Sequence, residues 1–370
     1  MKIAFLLTVH FPDDERVWYQ QAETLRNCGH EIFVISSKTN NCDFQNTVCF
    51  DDAETPKKQL IQKLKNILID IKPEIIICDN PISVVSAKKY KKSAQEKTKI
   101  IYDVTEWYPS KLNLQNMNIL KKIIKFFSLI FLSLSAGFFT DKFIFGEYHK
   151  GVVFRILFPL KKYIYLSYFA NSELIKQYPI NDISKRCEFF YSGNLKKVNG
   201  FDQILKVVFK CAENNPNTKF VLKLISRQNF DLSNQKQLQN VEIKQLKQLN
   251  FLDFCNEIGK SDIFFDLRQI DFVNNHSLPI KIFYYLASGR PVIYSDLKAI
   301  KRFFPKEELN NFGAFVNPKN IEKIVAKIEN YIKNFDYYNN HCNFAYNIIQ
   351  NKYNWDKIKS DFINFIENNG

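Results

Sequence analysis

The sequence predicts an α/β protein built from two Rossmann-like halves, on three observations. Short continuous apolar runs read as parallel strands covered on both faces. Amphipathic helical stripes alternate with them, which is the signature of a doubly wound sheet. The alternation begins again after a polar break at 172–185, and 370 residues are enough for two separate cores.

The first half opens with the strand KIAFLLTV (2–9), and from Asp14 onward Trp18, Ala22 and Leu25 recur at helical spacing up to a stop at Gly29. HEIFVISS (30–37) is a second strand. Residues 55–72 follow as a helix with Thr55 as its cap, Pro56 in first position and a stripe of Leu60, Ile61, Leu64, Ile67, Leu68 and Ile71. EIIIC (74–78) and KIIYDV (99–104) are two more strands. The second half repeats the scheme with CEFFYSG (187–193), a helix face of Phe201, Ile204, Leu205 and Val208, and KFVLKLIS (219–226). A helix marked by Phe251, Phe254, Cys255 and Ile258 precedes the strand DIFFDL (262–267). SLPIKIFYYLASGRPVIYSD (277–296) then reads as a helix, a glycine stop at Gly289 and a strand. The expected domains are 1–175 and 176–350, with 351–370 a helix packing back on the first. Ligands are expected in the cleft between the two halves, at the carboxyl ends of the strands.

A formal net charge of +14 suits an anionic partner. The basic residues are spread along the chain with no arginine-rich arm and no nucleic-acid motif, so nucleic acid is not expected. The eight cysteines form no CxxC pair and none has a histidine at metal-ligand spacing. They read as reduced and structural, which favours the cytoplasm. The N-terminus reads as a first buried strand rather than a signal peptide.

One segment departs from a soluble Rossmann pattern. Phe126–Thr140 is fifteen residues without a charge, preceded by Lys121, Lys122 and Lys125. It is shorter than the roughly twenty residues a membrane span takes. Two readings stand, a buried core helix or an in-plane contact with an anionic membrane surface, the basic residues meeting lipid phosphates. FRILFPLKKYIYLSYF (154–169) has the same basic-aromatic character, and the charge balance favours a membrane-associating segment over 121–166.

Several stretches in this order resemble the retaining glycosyltransferases of family four (group 1), which have the GT-B fold of two facing Rossmann-like domains. They are TVHFPDDERVWYQQAETLRNCGHEIFVIS with its His10, Asp14, Arg16 pattern, IIYDVTEWYP, YSGNLKKVNGFDQILKVV, the block from Ser261 to Asp296, and the closing KYNWDKIKSDFINFIE. The resemblance implies transfer from a UDP- or GDP-linked sugar to a lipid-linked or surface-polysaccharide glycan acceptor, by a peripheral enzyme on the inner face of the membrane. It implies no cofactor besides the donor and no metal. Transfer requires the leaving diphosphate to be stabilised, for which fixed cations and helix-end amides serve. The donor side is expected to comprise Ser192, Gly193, Asn194, Lys196, Lys197, Asn275, His276, Ser277, Lys281 and Tyr284. Catalytic roles are expected at His10, Asp103 and Glu106, and acceptor contacts at Asp14, Arg16, Trp107 and Tyr108. Structural readings stand beside these: Asp14 as a helix cap, Arg16 as its ion-pair partner, the aromatics as core. The chain also departs from the family pattern. His276 and Tyr284 stand where the donor block usually carries two acids, Asn194 and Asn199 replace the basic residues of the glycine loop, and Thr105 replaces a cleft histidine. These departures motivate an alternative: a catalytically degenerate GT-B subunit that binds nucleotide or lipid and supports a partner enzyme.

Overall fold

A computed structural model describes residues 1–368 apart from 40–43, 53, 95–96, 107, 110–113, 115–116 and 232–237. The chain divides into two compact units: Met1–Tyr168 with Ile358–Gly370, and Phe169–Lys357.

In the first unit seven parallel strands run in the order β3-β2-β1-β4-β5-β6-β7. They are β1 (Lys2–Leu7), β2 (Glu31–Ser36), β3 (Thr47–Cys49), β4 (Ile75–Cys78), β5 (Lys99–Val104), β6 (Lys142–Phe145) and β7 (Lys162–Tyr165). The helices are α1 (Glu23–Asn27), α2 (Lys57–Ile71), α3 (Pro81–Ala94), α4 (Ile119–Phe139) and α5 (Tyr148–Leu157). Residues Ile76, Cys78, Ile100 and Tyr102 lie in a core that also takes Leu60, Leu64 and Leu68 from α2. The expected stripe of α2 is therefore the buried one, but its start differs. Pro56, not Thr55, occupies the cap position, and no side chain closes that end. The segment after β1 begins as a π-helix (Glu15–Ala22) before passing into α1, and buries Trp18, Ala22 and Leu25.

The second unit holds six parallel strands in the order β10-β9-β8-β11-β12-β13. These are β8 (Arg186–Ser192), β9 (Lys219–Ile225), β10 (Val241–Leu246), β11 (Ile263–Asp266), β12 (Val292–Ser295) and β13 (Gly313–Val316). Around them lie α6 (Phe201–Asn214), α7 (Phe251–Ile258), α8 (Phe272–Asn275), α9 (Lys281–Ala287), α10 (Lys298–Phe303), α11 (Ile321–Lys333) and α12 (Phe335–Asn351). The last helix, α13 (Lys359–Glu367), belongs to the first unit. Lys142 of β6 fastens it there by donating to the carbonyls of Phe365 (2.6 Å) and Asn368 (2.8 Å) at its C-terminal end, where a cation is favoured. His30 lies 2.9 Å from Glu367 Oε1 on the same helix.

In both sheets the strand order reverses once, between β1 and β4 and between β8 and β11. The loops leaving those strands open apart at their carboxyl ends, which is where open α/β sheets take their ligands.

Helix α4 runs 21 residues because Ile119, Leu120, Ile123 and Ile124 carry its apolar spacing past the three lysines toward the N-terminus, with Asn118 as cap. By length and composition it is the one described helix that could cross a membrane, with a mean hydropathy of 1.7, yet only 22% of that window is buried. The core-helix reading fails on that figure. Leu129, Ser133, Ala136 and Gly137 form its buried stripe, while Ile119, Ile124, Phe127, Phe131 and Phe138 are exposed.

Candidate functional site

The reversal point of the first sheet is organised around a carboxylate that the sequence analysis did not single out. Asp79, at the end of β4, is buried and accepts from the amides of Thr8 (3.0 Å), Val9 (2.9 Å) and His10 (3.2 Å). The His10 ring adds a fourth contact, Nδ1 to Oδ2 at 3.2 Å, and Ser83 donates to the other oxygen at 3.1 Å. Burial disfavours charge on the His10 ring. The hydrogen bond to Asp79 and the charges of Asp14, Asp79 and Asp103 outweigh it and raise its pKa to about 9. His10 is thus a charged donor at neutral pH.

Asp14 is the helix cap, accepting from the amides of Arg16 (3.0 Å) and Val17 (3.3 Å). Burial raises its pKa despite the nearby His10 charge. Arg16 does not pair with Asp14 through its guanidinium. It is buried and clamps Asp103 with Nε (2.8 Å) and Nη2 (3.0 Å), while Nη1 donates to the Leu166 carbonyl. Its guanidinium lies 4.8 Å from the Tyr168 ring. Gln21 also donates to Asp103 at 2.8 Å, so both carboxylate oxygens are engaged in a residue only 4% exposed. Such a carboxylate positions the helix after β1 against β5. A general base needs an oxygen open to substrate, and both oxygens of Asp103 are taken up by Arg16 and Gln21. Lys150 was also missed: it donates to the Thr105 carbonyl (2.6 Å) and pairs with Glu147 (2.8 Å). Tyr108 donates to Glu106 at 3.3 Å. Trp107 lies outside the described residues.

In the second unit the loop after β8 needs its glycine. Gly193 has φ +147°, and a Cβ there would lie 2.7 Å from Lys281 Nζ. That ammonium, on the first residue of α9, donates to the Ser192 carbonyl. Tyr191 closes the loop by donating to the Asn194 carbonyl at 2.8 Å, and Tyr285 accepts from the Ser192 amide at 3.2 Å. Facing this loop across the reversal point, Asp266 at the end of β11 holds Arg268 through two bonds of 2.6 Å. Burial disfavours the Arg268 charge and the paired Asp266 more than restores it, with Tyr191 and Tyr285 close by. Ser192, Gly193 and Lys281 therefore come together as expected from sequence, joined by Asp266, Arg268, Tyr191 and Tyr285, which sequence reasoning missed. The DL-R turn after an apolar strand was the signal available for Arg268.

The other donor-side residues are placed differently. Asn194, Lys196 and Lys197 are exposed on the turn before α6. Asn275 accepts from the Lys298 amide at 3.2 Å, and Ser277 donates its amide to Asn274. His276 ends α8, its Nδ1 2.7 Å from the Phe272 carbonyl and its ring against that of Phe272. Tyr284 is 2% exposed and packs edge-on against Phe251 and Phe254 of α7. A ring in that position serves the packing between α7 and α9, and its neighbour Tyr285 supplies the hydroxyl that meets the loop. Among the described residues no group of three His, Cys, Asp or Glu side chains is placed to hold a metal ion.

Residues 174–355 match the family model of the glycosyl transferases group 1, so the segment that carries Gly193, Arg268 and Lys281 belongs to that family. Solved structures resemble the chain over its whole length. WaaG, a glycosyltransferase involved in lipopolysaccharide biosynthesis, is 10% identical with a TM-score of 0.67 and full coverage of both chains. Anabaena Alr3699/HepE, solved with UDP-glucose, is 14% identical with a TM-score of 0.66 over 99% of both chains. Sucrose-phosphate synthase of Thermosynechococcus elongatus is 12% identical with a TM-score of 0.65, over 99% of this chain and 98% of its own. At these identities the likeness shows the fold, and that fold is GT-B. No curated protein matches the chain in sequence.

Proposed function

We propose that the protein transfers a sugar from a nucleotide-sugar donor to a lipid-linked or surface-polysaccharide acceptor, with retention, while seated on the inner face of a membrane. The observation that carries the donor half is the Gly193 loop with Lys281 against it, inside the segment that matches the group 1 family. A loop turned at Gly193, with the Lys281 ammonium against it and Arg268 near its Tyr191, gathers positive charge suited to a diphosphate whose charge grows as the glycosidic bond breaks. UDP-sugars come first because HepE was solved with UDP-glucose. In this reading the protonated His10, held by Asp79, serves the acceptor side as a hydrogen-bond donor. The lysines and arginine of the donor side take the role a metal ion has elsewhere, so turnover is expected to persist in EDTA.

Thermal stabilisation and sugar release over a panel of UDP- and GDP-sugars test this reading. One nucleoside diphosphate at a hundred times its Kd should stabilise the protein by about 2.7 kcal/mol. Lys281→Ala should remove that shift and the turnover together. Absence of any shift at millimolar nucleotide would refute the donor site. A second reading follows from the donor block itself, where His276 and Tyr284 stand in place of two acids: a subunit that binds nucleotide or lipid and supports a partner enzyme without transfer of its own. A normal thermal shift with no sugar release from any donor would select it.

A further inference from the structure

Between α5 and the edge strand β7 lies a groove of about 450 Å³, walled by Tyr148, Ile156, Phe158 and Tyr163 and holding Arg155 and Lys161. Nothing in the proposed chemistry uses it. The Arg155 guanidinium sits 4.7 Å from the Tyr163 ring and 5.9 Å from the Tyr148 ring, and donates to the Tyr165 hydroxyl at 3.2 Å. The groups that act on its charge are these tyrosines, with no carboxylate among the described residues in contact with it. An arginine presented in this way is a fork for an oxyanion that comes from outside.

The surroundings identify the source of that oxyanion. The groove is fastened to the C-terminal end of α4. Lys161 donates to the carbonyls of Gly137 (2.7 Å) and Phe138 (2.6 Å), and the Phe158 ring fills the space beside Gly137. Its rim and that helix end expose apolar side chains to an extent rare on a soluble surface, with Leu160 97%, Ile156 72% and Phe138 71% accessible. The exposed face of α4 continues the patch through Phe131 and Phe127 toward Lys125, Lys122 and Lys121. A second copy on this face would bring like charges together, whereas a bilayer with acidic headgroups offers both an apolar interior and anionic phosphates. The stripe of Leu129, Ser133, Ala136 and Gly137 ties α4 to its own unit, so the helix lies in the interface plane rather than crossing it.

We propose that the groove between α5 and β7 binds the phosphate of an acidic phospholipid headgroup through Arg155, while Leu160, Phe138 and the outer face of α4 enter the interface. The site rests on the membrane seat in the reading above but is independent of sugar transfer.

Flotation with phosphatidylglycerol-containing vesicles, against phosphatidylcholine alone, tests it. Each basic residue near an acidic surface contributes about fivefold to partitioning by diffuse attraction. Lys162→Gln, a neighbour outside the groove, should therefore lose about fivefold, and Arg155→Gln roughly twentyfold or more. Leu160→Asp, at a site too exposed to affect folding, should also abolish flotation. Equal losses for the two cation variants, or flotation unaffected by Leu160→Asp, would overturn the site. Tight binding of soluble glycerol phosphate in place of vesicles would overturn the lipid as its ligand. Nucleotide-sugar hydrolysis measured in parallel separates the two proposals. Hydrolysis without flotation removes the headgroup site alone, and flotation without nucleotide binding removes the transferase reading alone.

Discussion

Replacing His10 by Gln removes a charged ring from the centre of the first unit, and the pH dependence of the loss can be worked out. In the folded protein the ring's pKa rises from 6.5 to about 9, a difference worth about 3 kcal/mol at 1.36 kcal/mol per unit. The folded value lies above the unfolded one, so the contribution is complete below pH 6.5 and is lost as the pH rises to 9. Between those limits the wild type should lose about 1.4 kcal/mol per pH unit relative to His10→Gln, since one proton is at stake. Native-state hydrogen exchange, read peptide by peptide over pH 6 to 9.5 and corrected for intrinsic rates, reports the first unit separately from the second. The peptide holding Thr8, Val9 and His10 is the informative one, because Asp79 accepts from all three amides. A wild-type advantage that stays constant across this range, or grows with pH, would show that the ring is not charged in the folded protein and refute the argument.

The remaining predictions follow from the same kind of geometry. Asp79→Asn should cost the first unit about 3 to 5 kcal/mol, because it leaves the His10 charge without its partner; ring titration by NMR should find the His10 pKa back near its ordinary value. Gly200→Ala should destabilise the second unit by about 2 to 4 kcal/mol in urea unfolding, since φ is +79° and the new Cβ would lie 1.8 Å from the Leu267 carbonyl oxygen. His341 behaves oppositely to His10: burial, with a smaller effect of Lys327, lowers its pKa to about 4. The second unit should therefore lose up to about 3 kcal/mol as the pH falls from 6.5 to 4, measured as lost exchange protection, and His341→Gln should abolish this dependence.

The order of strands and helices was legible in the sequence because it depends on local periodicity. Runs such as KIAFLLTV and EIIIC have no polar face, so they become β1 and β4 at the sheet centre, and the stripe of α2 buries where its spacing says. The glycine loop was legible too, because a φ of +147° selects for glycine whatever surrounds it. The partners of the charged residues were not. Arg16 and Asp103 are 87 residues apart, and His10 and Asp79 are 69 apart. No local spacing encodes such pairs, and only the order of the parallel strands brings them to one end of a sheet. The choice between Tyr284 and Tyr285 was hidden for a related reason. Adjacent helical residues differ by about 100° in direction, so on α9 Tyr284 meets Phe251 and Phe254 of α7, while Tyr285 stacks on Phe264 of β11 and turns its hydroxyl to the Ser192 amide. The sequence by itself determined the two α/β halves and the apolarity of α4. Tertiary structure alone decided that most of α4 stays exposed, because its unit, chiefly through α3, covers only the one stripe of Leu129, Ser133, Ala136 and Gly137.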